Sequence, residues 1–479
     1  MPTVDVLEFD DVVIGFGKGG KTLAGVLGRA GRRVAVVEQS EQMYGGTCVN
    51  IGCVPTKALV YAAHLGHDGD DAAHYTDSIA QKDALTAKLR AANFTMLDSV
   101  DTITVITARA EFVGPKRVRL SAGTDERELT AERFYLNTGS LPAVPDIPGA
   151  SEGGHVLSPR IHTSTELISE SNLPGRLVIV GGGYIAYEFA SMYAAFGSEV
   201  TVVDRSPIPL KHEDRDVAAA VASALTGDGV RFLQGARVTG VAESGETGVP
   251  AHDGALAPAL VGVATASGPI TIEADAVLLA LGRSPATAGL GLDKAGVETD
   301  GRGAVVVDER LRTTAPDVWA LGDVNGGPQH TYVSLDDHRI VLSQVAGGPE
   351  RTTADRRTIP TTTFVTPPMS RVGLTEGEAR AQADEHGWDV GVASKEVAKI
   401  AAMPRPKIVR DPRGLIKLVV DRKTETVLGA TLFCVDSQEI VNLVSFAMDH
   451  GLPYTALRDR MYTHPSSSEA LNEVLGTIV

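Results

Sequence analysis

The sequence contains the same four-part unit twice, and this repeat restricts the possible folds more than any other feature. In each copy an apolar strand leads into a glycine-rich turn, a helix and a second apolar strand that ends in an acidic residue. From the first glycine to that acid both copies span 23 residues, Gly15 to Glu38 and Gly181 to Asp204. A glycine turn between a strand and a helix is the fingerprint of dinucleotide-binding folds. The repeat therefore predicts an α/β protein with two Rossmann-like dinucleotide-binding domains.

The glycines of the first copy suit the close approach of a pyrophosphate. Gly15 permits a tight turn, Gly17 lets a phosphate reach the backbone, and Gly20 lets the helix pack close to the strand. The N-terminus of the helix adds free N–H groups and a partial positive charge. Glu38 stands where a carboxylate would accept hydrogen bonds from a ribose diol. We expect the helix to bury a face formed by Leu23, Val26, Leu27 and Ala30.

The second copy repeats this chemistry with one variation. Gly181 and Gly183 take the roles of the first two glycines, and Ala186 is a permitted substitute for the third. Asp204 favours NADH, because a carboxylate holds the ribose 2′-hydroxyl and repels a 2′-phosphate. Arg205 offers a compensating positive charge, so NADH and NADPH both stay open. The buried face of this helix is predicted to be Phe189, Met192, Tyr193 and Phe196.

The charge of the chain excludes some common partners. The 479 residues carry 44 Lys and Arg against 60 Asp and Glu, a formal net charge of −16. Phosphate backbones and anionic headgroups repel such a protein, so we expect no nucleic-acid or membrane partner. No segment approaches the roughly 18 apolar residues of a membrane span, and the first ten residues lack the pattern of a signal peptide. We therefore expect a cytoplasmic protein.

A pair of cysteines marks a candidate redox centre. The chain has three cysteines, which excludes a disulfide-rich secreted scaffold. Cys48 and Cys53 are separated by four residues, a spacing that permits a disulfide across a turn. Pro55 suits the first turn of a helix, so Cys53 should lie at a helix N-terminus, where the thiolate is favoured. The third cysteine, Cys434, is interpreted as a buried inert thiol.

Around this pair the sequence resembles a known family. Residues 45–57, Gly-Gly-Thr-Cys-Val-Asn-Ile-Gly-Cys-Val-Pro-Thr-Lys, are similar to the redox motif of the class I pyridine nucleotide–disulfide oxidoreductases, which include lipoamide dehydrogenase, glutathione reductase and mercuric reductase. Further segments resemble family motifs in the same order: residues 137–140, 281–285, 319–323 and 364–367, and the pair His464 and Glu469. The implied domains are an FAD-binding domain in two parts (1–155 and 283–355), an NAD(P)-binding domain (156–282) and a C-terminal α+β dimerisation domain (356–479).

By this resemblance, FAD occupies the first nucleotide unit and NADH or NADPH the second. Besides the glycines and acids of the two copies, the implied cofactor-binding residues are Gly46, Thr47, Lys57, Thr138, Gly139, Tyr184, Glu188, Gly282, Arg283 and Asp323. Asp323 would hold the ribityl chain of the flavin, and Tyr184 would cover the nicotinamide pocket. Lys57, paired with Glu188, would place a positive charge near the reactive flavin nitrogen.

The resemblance also implies the catalytic roles. Cys53 would contact the flavin as the charge-transfer thiolate, and Cys48 would be the interchange thiol that meets the substrate. His464 would act as general acid and base, with Glu469 orienting it. In the family this pair comes from the other subunit, so we expect a homodimer. No resident metal is assigned, and we interpret as a solvated polar loop the stretch that contains His64, His67 and His74.

Several segments are similar to the reactive-chlorine-resistance flavoprotein subgroup of the family: residues 15–18, 43–46, 332–337, 452–454 and 463–466. Members are associated with defence against hypohalous oxidants and with reduction of Cu(II) or hypothiocyanite. The resemblance implies an NAD(P)H oxidoreductase that passes electrons through FAD and the cysteine pair to such an acceptor. Dihydrolipoamide dehydrogenase and a flavin-binding redox sensor are the alternatives. The chain lacks the C-terminal cysteine pair of mercuric reductases, which argues against mercury as substrate.

Overall fold

The computed structural model describes residues 6–66, 69–243 and 257–478. Its internal contacts divide the chain into two compact units. The first unit comprises the chain up to Leu59, Asp77–Ala143 and Gly282–Arg356. The second unit comprises Val60–Thr76, Val144–Leu281 and the chain from Arg357 onward. Each of the two glycine repeats therefore lies in a unit of its own.

Strands and helices alternate along most of the chain, which confirms the predicted α/β class. The described strands are β1 (Val6–Ile14), β2 (Val34–Glu38), β3 (Ile103–Thr107), β4 (Arg109–Gly114), β5 (Arg117–Ala122), β6 (Asp125–Leu136), β7 (Ser140–Pro142), β8 (Ser151–Glu152), β9 (His155–Val156), β10 (Ile161–His162), β11 (Arg176–Val180), β12 (Glu199–Asp204), β13 (Arg231–Gln234), β14 (Arg237–Glu243), β15 (Ala259–Thr265), β16 (Gly268–Ala274), β17 (Ala276–Leu279), β18 (Arg283–Pro285), β19 (Val318–Ala320), β20 (Thr361–Thr363), β21 (Met369–Gly373), β22 (Val390–Glu396), β23 (Leu415–Asp421) and β24 (Thr426–Phe433). The described α-helices are α1 (Lys18–Arg29), α2 (Thr47–Asn50), α3 (Cys53–Ala63), α4 (Asp71–Asp98), α5 (Ser164–Leu167), α6 (Tyr184–Ala195), α7 (Arg215–Gly227), α8 (Leu292–Ala295), α9 (Thr331–Val345), α10 (Glu376–His386), α11 (Arg405–Ile408), α12 (Ser437–Asp449), α13 (Tyr454–Arg458) and α14 (Ala470–Leu475). Within the described ranges, no helix is long and apolar enough to cross a membrane.

A mixed seven-stranded sheet forms the centre of the first unit. Its order is β3-β2-β1-β6-β5-β4, and β19 pairs with β6 outside this row. The strands β1, β2, β3, β6 and β19 run parallel. Alternate residues of β1 enter different cores: Val12 and Ile14 pack on one side of the sheet, and Val13 packs on the other with helix α1. Burial on both faces explains why this strand reads as a continuous apolar run.

Helix α1 packs on this sheet through a narrower face than the sequence predicts. The two leucines of the predicted face are fully buried, but Val26 is 36% exposed and Ala30, just beyond the helix, is exposed as well. The close contact is made by small residues, since a Cβ added to Gly28 would lie 2.4 Å from Cγ1 of Ile103. The prediction is wrong for Val26 and Ala30 because the helix approaches the strands along its glycines.

The second unit contains two larger sheets. The first is a parallel five-stranded sheet of order β10-β17-β11-β12-β13, in which the second glycine repeat supplies β11 and β12. The predicted buried face of α6 is confirmed, because all four of its residues are at most 2% exposed. The other is an antiparallel sheet of order β20-β21-β24-β23-β22 in the C-terminal segment. Cys434, which follows β24, is fully buried there, as predicted.

A buried cation connects three segments of the second unit. Lys417 on β23 is 4% exposed. Its Nζ lies 2.7 Å from a carboxylate oxygen of Asp216, 3.0 Å from one of Glu376 and 3.5 Å from one of Asp214. Although burial opposes the charge, the hydrogen bonds to Asp216 and Glu376 raise the pKa of Lys417. The lysine therefore stays charged and offsets the repulsion among three carboxylates.

We expect Lys417→Met to lower the free energy of unfolding by about 3 kcal/mol at pH 7, since three carboxylates would face a site without a cation. Because the pKa of Lys417 is raised, its contribution is complete at neutral pH and is lost only as the pH rises above the usual range of lysine. Chemical denaturation followed by circular dichroism measures the change. Lys423→Met, on an exposed turn, is the control; equal effects of the two substitutions would contradict this role.

Candidate active site

The turn of the first copy is held by a residue that lies outside the copy. Gly15 has a φ of +101°, and a Cβ on it would lie 2.3 Å from the carbonyl oxygen of Asn137. A Cβ on Gly17 would lie 2.5 Å from the side-chain oxygen of Asn137, which also accepts a hydrogen bond from the Gly20 N–H at 2.9 Å. These glycines are therefore needed for contact with Asn137 as well as for access by a phosphate. Sequence reasoning missed this role, although the segment 137–140 contains the asparagine.

Glu38 ends β2 beside this turn. It is 8% exposed, and its two carboxylate oxygens accept hydrogen bonds from the Phe16 N–H at 3.0 Å and the Gln39 N–H at 2.8 Å. Burial raises the pKa of Glu38, and the backbone hydrogen bonds partly offset this rise. A carboxylate has about four acceptor positions, so positions remain for ribose hydroxyls. The turn and the acid together fit the adenosine diphosphate half of FAD.

The second copy has the same layout with different contacts. Gly181 has a φ of +120°, and a Cβ on it would lie 2.4 Å from the carbonyl oxygen of Ala280. Gly182 lies against the acid at the end of β12, since its Cβ would lie 1.9 Å from Oδ2 of Asp204. A Cβ on Gly183 would meet no described atom within 4 Å. The backbone at the N-terminus of α6 thus faces open space, which suits a phosphate.

The nicotinamide side of this copy contains the predicted tyrosine and acid. Tyr184 is the first residue of α6 and is 47% exposed. Asp204 is buried and accepts a hydrogen bond from the Ser206 N–H at 3.0 Å, while Arg205 is exposed. A buried acid next to an exposed base is the same balance that the sequence indicates, and it leaves NADH and NADPH both open.

The two cysteines lie in two consecutive helices. Thr47 begins α2, which contains Cys48, and Cys53 begins α3. Gly46 precedes α2 with a φ of +76°, and a Cβ on it would lie 2.7 Å from Cα of Gly17. The segment that contains the cysteines therefore packs directly on the first glycine turn, where only glycine fits.

The thiols of Cys48 and Cys53 are unbridged, and each is the largest influence on the pKa of the other. The interaction with Cys48 lowers the pKa of Cys53 to about 6; desolvation opposes this shift, and the hydroxyl of Thr331 and the charge of Lys57 add to it. The interaction with Cys53, together with desolvation, raises the pKa of Cys48, so this thiol keeps the proton that the pair shares. The pair therefore holds a thiolate at Cys53 and a thiol at Cys48.

Thr331 belongs to this site and was missed by sequence reasoning. It begins α9, and its Oγ1 lies 3.6 Å from Sγ of Cys53 although 278 residues separate the two. Its hydroxyl also acts on Cys48, whose pKa it lowers. The only sequence signal is its position directly before the segment 332–337, which resembles the flavoprotein subgroup.

A second polar group joins three of the predicted cofactor-binding segments, 137–140, 281–285 and 319–323. Ser140 donates a hydrogen bond to Oδ2 of Asp323 at 2.6 Å and accepts one from Nε of Arg283 at 2.8 Å. Arg283 also donates to the carbonyl oxygen of Ser140 at 2.6 Å. Thr138 donates to the carbonyl oxygen of Ala286 at 2.8 Å. The glycines of this group, Gly139 and Gly282, both have a positive φ, and a Cβ on either would meet no described atom within 4 Å. Ser140 thus connects the two segments that contain Asp323 and Arg283.

The predicted partners Lys57 and Glu188 lie in different units, and their pairing stays a prediction. In the first unit, Nζ of Lys57 lies 3.3 Å from Oγ1 of Thr56, and its charge favours the Cys53 thiolate. In the second unit, Glu188 is buried and its Oε1 accepts a hydrogen bond from the Phe364 N–H at 2.8 Å.

The predicted acid–base pair is in contact. Nδ1 of His464 lies 2.9 Å from Oε1 of Glu469, whose Oε2 accepts a hydrogen bond from the Ser466 N–H at 2.8 Å. That backbone hydrogen bond and the one from His464 lower the pKa of Glu469. The carboxylate thus stays charged and orients the imidazole, whose side chain is 72% exposed.

The histidine-containing stretch is only partly a loop. His67 lies outside the described residues, and the loop interpretation is wrong for His74, which lies in the first turn of α4 with its Nε2 3.0 Å from the carbonyl oxygen of Ala62. A helix forms there because Asp71 begins it with a favourable charge at its N-terminus. In the described part of the chain no group of three or more histidine, cysteine or acidic side chains is placed to hold a metal ion.

Known proteins are similar to this chain over nearly its whole length. Residues 9–337 match the family "Pyridine nucleotide-disulphide oxidoreductase", and residues 359–475 match its dimerisation domain. The chain is 44% identical to a probable pyridine nucleotide-disulfide oxidoreductase, RclA, of Escherichia coli strain K12, over 98% of this chain and 99% of the relative. It is 31% identical to a mercuric reductase of Staphylococcus aureus, over 97% of this chain and 81% of the relative. A solved Cu(II) complex of the HOCl-induced flavoprotein disulfide reductase RclA from Escherichia coli is similar with a TM-score of 0.88 and 43% identity, covering 98% of this chain and 99% of the other.

We expect Thr331→Val to raise the pKa of Cys53, since the thiolate would lose a hydroxyl donor while the side chain keeps its volume. In the reduced protein, the pH midpoint for alkylation of Cys53 by iodoacetamide should rise from near 6 by about one pH unit. Thr331→Ser keeps the hydroxyl and should keep the midpoint. The same midpoint in all three proteins would show that Thr331 does not stabilise the thiolate.

Proposed function

The chain belongs to the pyridine nucleotide-disulphide oxidoreductase family, a family of oxidoreductases that use FAD and NAD(P)H, and on this basis we propose its electron path and its acceptor. Electrons pass from NAD(P)H through FAD to the disulfide of Cys48 and Cys53, and from there to an oxidant such as Cu(II) or hypothiocyanite. The enzyme acts in defence against reactive chlorine, in the cytoplasm, where neighbouring cysteines are kept available for redox cycling.

The cysteine pair, which lies on the segment packed against the first glycine turn, is the observation that carries this proposal. A thiol with a pKa of about 6 is largely thiolate at neutral pH, and Cys53 has this property while Cys48 keeps the proton. The two residues therefore have the unequal roles that a dithiol needs to pass electrons in one direction. Support for the acceptor comes from RclA of Escherichia coli, an HOCl-induced flavoprotein disulfide reductase with a solved Cu(II) complex.

Both nucleotides have residues of this chain to hold them. The turn at Gly15 and Gly17, with Glu38, would hold the adenosine half of FAD, and Asp323 with its Ser140 partner would hold the ribityl chain. The turn at Gly181 and Gly183, with Tyr184 and Asp204, would hold NAD(P)H. Bound FAD supplies the step that cysteines cannot perform, the acceptance of a hydride and its release as two electrons. In domain terms, residues 1–155 and 283–355 bind FAD and residues 156–282 bind NAD(P)H.

The cysteine chemistry balances for both acceptors. Two electrons open the disulfide into the Cys53 thiolate and the Cys48 thiol, with one proton taken up. Closing the disulfide returns two electrons, which reduce two Cu(II) ions to Cu(I). Alternatively they convert one hypothiocyanite, with two protons, to thiocyanate and water. Closing the disulfide releases the Cys48 proton with either acceptor, but only hypothiocyanite must itself receive protons. Proton delivery by His464 is therefore needed for hypothiocyanite and not for Cu(II).

We place the acid–base pair at the cysteines of a second copy of the chain. Residues 359–475 form the dimerisation domain of the family, and His464 and Glu469 lie within it. The homodimer would bring His464 of the partner subunit to Cys48, where its Nε2 can donate or accept the proton. Glu469 holds the opposite ring nitrogen and fixes the tautomer.

An acceptor panel with FAD-loaded enzyme tests the proposal. NADH and NADPH consumption is measured with Cu(II), hypothiocyanite and lipoamide, for the unaltered enzyme and for Cys48→Ser, Cys53→Ser and His464→Gln. We expect turnover with Cu(II) and hypothiocyanite that falls at least about 100-fold without either cysteine, while His464→Gln affects hypothiocyanite alone. Cys434→Ala, in a different core, is the matched control and should keep full activity.

Two results would contradict the proposal. Preference for lipoamide over both oxidants would identify a dihydrolipoamide dehydrogenase. Reduction of the flavin by NADH without steady consumption with any acceptor would identify a redox sensor.

A further inference from the structure

A buried lysine of the first unit forms no ion pair with any acidic side chain that the structure describes. Lys21, on the first turn of α1, is 5% exposed. Its Nζ donates hydrogen bonds to the carbonyl oxygen of Gly45 at 3.3 Å and to the side-chain oxygen of Asn93. No carboxylate in the described ranges forms an ion pair with it, whereas the equally buried Lys417 has three. Burial of an ammonium group without a counter-ion is costly, so its retention calls for a role.

The contacts of Lys21 belong to a network that holds the segment before Cys48. Three consecutive carbonyl groups of this segment accept hydrogen bonds from side chains. Nζ of Lys21 donates to the carbonyl oxygen of Gly45. The side-chain amide of Asn50 donates to the carbonyl oxygens of Tyr44 at 3.0 Å and Gly46 at 2.9 Å. Asn50 is itself held by Nε of Arg90 at 2.8 Å. The backbone in front of Cys48 is therefore fixed from α1 on one side and from α4 on the other.

We infer that Lys21 is a positioning residue of the redox pair, which holds the carbonyl of Gly45, three residues before Cys48, and so places a positive charge on the Cys48 side of the pair. The inference rests on the proposed redox role of the two cysteines. In the reduced pair one proton is shared, and Cys53 holds most of the negative charge. A cation on the Cys48 side draws part of that charge to Cys48, and the thiolate fraction of this sulfur sets its rate of attack on an oxidant.

The electrostatics agree with this placement. Lys21 lowers the pKa of Cys48 and Cys48 raises that of Lys21, so each favours the charge of the other. Burial, with a smaller contribution from Lys18, lowers the pKa of Lys21 to about 8. The two groups that contact the ammonium are uncharged: the side chain of Asn93 on α4 and the backbone of Gly45 before Cys48. The positive charge is therefore present at pH 7 and is lost as the pH rises through about 8.

Alkylation of the two cysteines separates a positional role from a purely structural one. FAD-loaded enzyme is reduced without oxygen by NADH or, in a parallel sample, by dithiothreitol, and is pulsed with iodoacetamide at a series of pH values. Trypsin releases both cysteines in the peptide 34–57, because Arg33 precedes it and Lys57 ends it, and fragment ions assign the alkylated sulfur. Lys21→Met and Lys21→Gln remove the charge, Lys21→Arg keeps it, and Arg29→Met removes an exposed cation from the same helix.

We expect both neutral variants to slow alkylation of Cys48 at pH 7 about tenfold relative to Cys53. Lys21→Arg should restore most of the rate, and Arg29→Met should have no effect. The ratio of Cys48 to Cys53 alkylation should change near pH 8 in the unaltered enzyme and lose this step in the neutral variants. An unchanged ratio and an unchanged pH profile in a neutral variant that retains FAD would overturn the inference. If free thiols appear with dithiothreitol but not with NADH, the proposed function is refuted. The role of Lys21 is then tested by the alkylation rates of the dithiothreitol sample.

Discussion

The electrostatic coupling between the thiols of Cys48 and Cys53 is the interaction on which the rest of the site depends. It divides one proton unequally between two sulfurs, so that Cys53 becomes a thiolate and Cys48 stays a thiol. The neighbouring groups act on this division from both ends. Thr331 and Lys57 favour the charge on Cys53, and Lys21 favours charge on Cys48. The fold brings these groups to the N-terminal ends of α2 and α3, where the two cysteines lie.

The two glycine repeats show how one local pattern serves two ligand sites with different contacts. In both, the acid at the end of the second strand lies against the middle of the glycine turn: Glu38 accepts a hydrogen bond from the Phe16 N–H, and Asp204 lies where a Cβ of Gly182 would be. Gly46, two residues before Cys48, packs on Gly17 of the first turn. This contact brings the segment that contains the cysteines next to the glycine turn of the first copy.

Local pattern was sufficient for the fold and for the order of elements in each repeat, because strand, turn, helix and acid follow one another closely, as from Gly15 to Glu38. Contacts that close over long stretches of chain could not be predicted in this way. Asn137 reaches Gly20 across 117 residues, and Thr331 reaches Cys53 across 278. The residues that flank Asn137 and Thr331 in the sequence do not indicate which distant residue each one contacts. Helical periodicity failed at Val26 because it predicts that apolar side chains make the contact with the sheet. Helix α1 instead approaches the sheet through its glycines, such as Gly28.

An anaerobic titration of the FAD-loaded protein with NADH, followed by absorbance and by counting of free thiols, shows whether electrons from NADH open the disulfide of Cys48 and Cys53. We expect about one equivalent of NADH to expose both cysteine thiols and to produce the long-wavelength absorbance of a thiolate beside oxidised flavin. We also expect Cys48→Ser to retain this absorbance and Cys53→Ser to lose it. Bleaching of the flavin with no new thiols, or the same spectrum in both variants, would contradict the account.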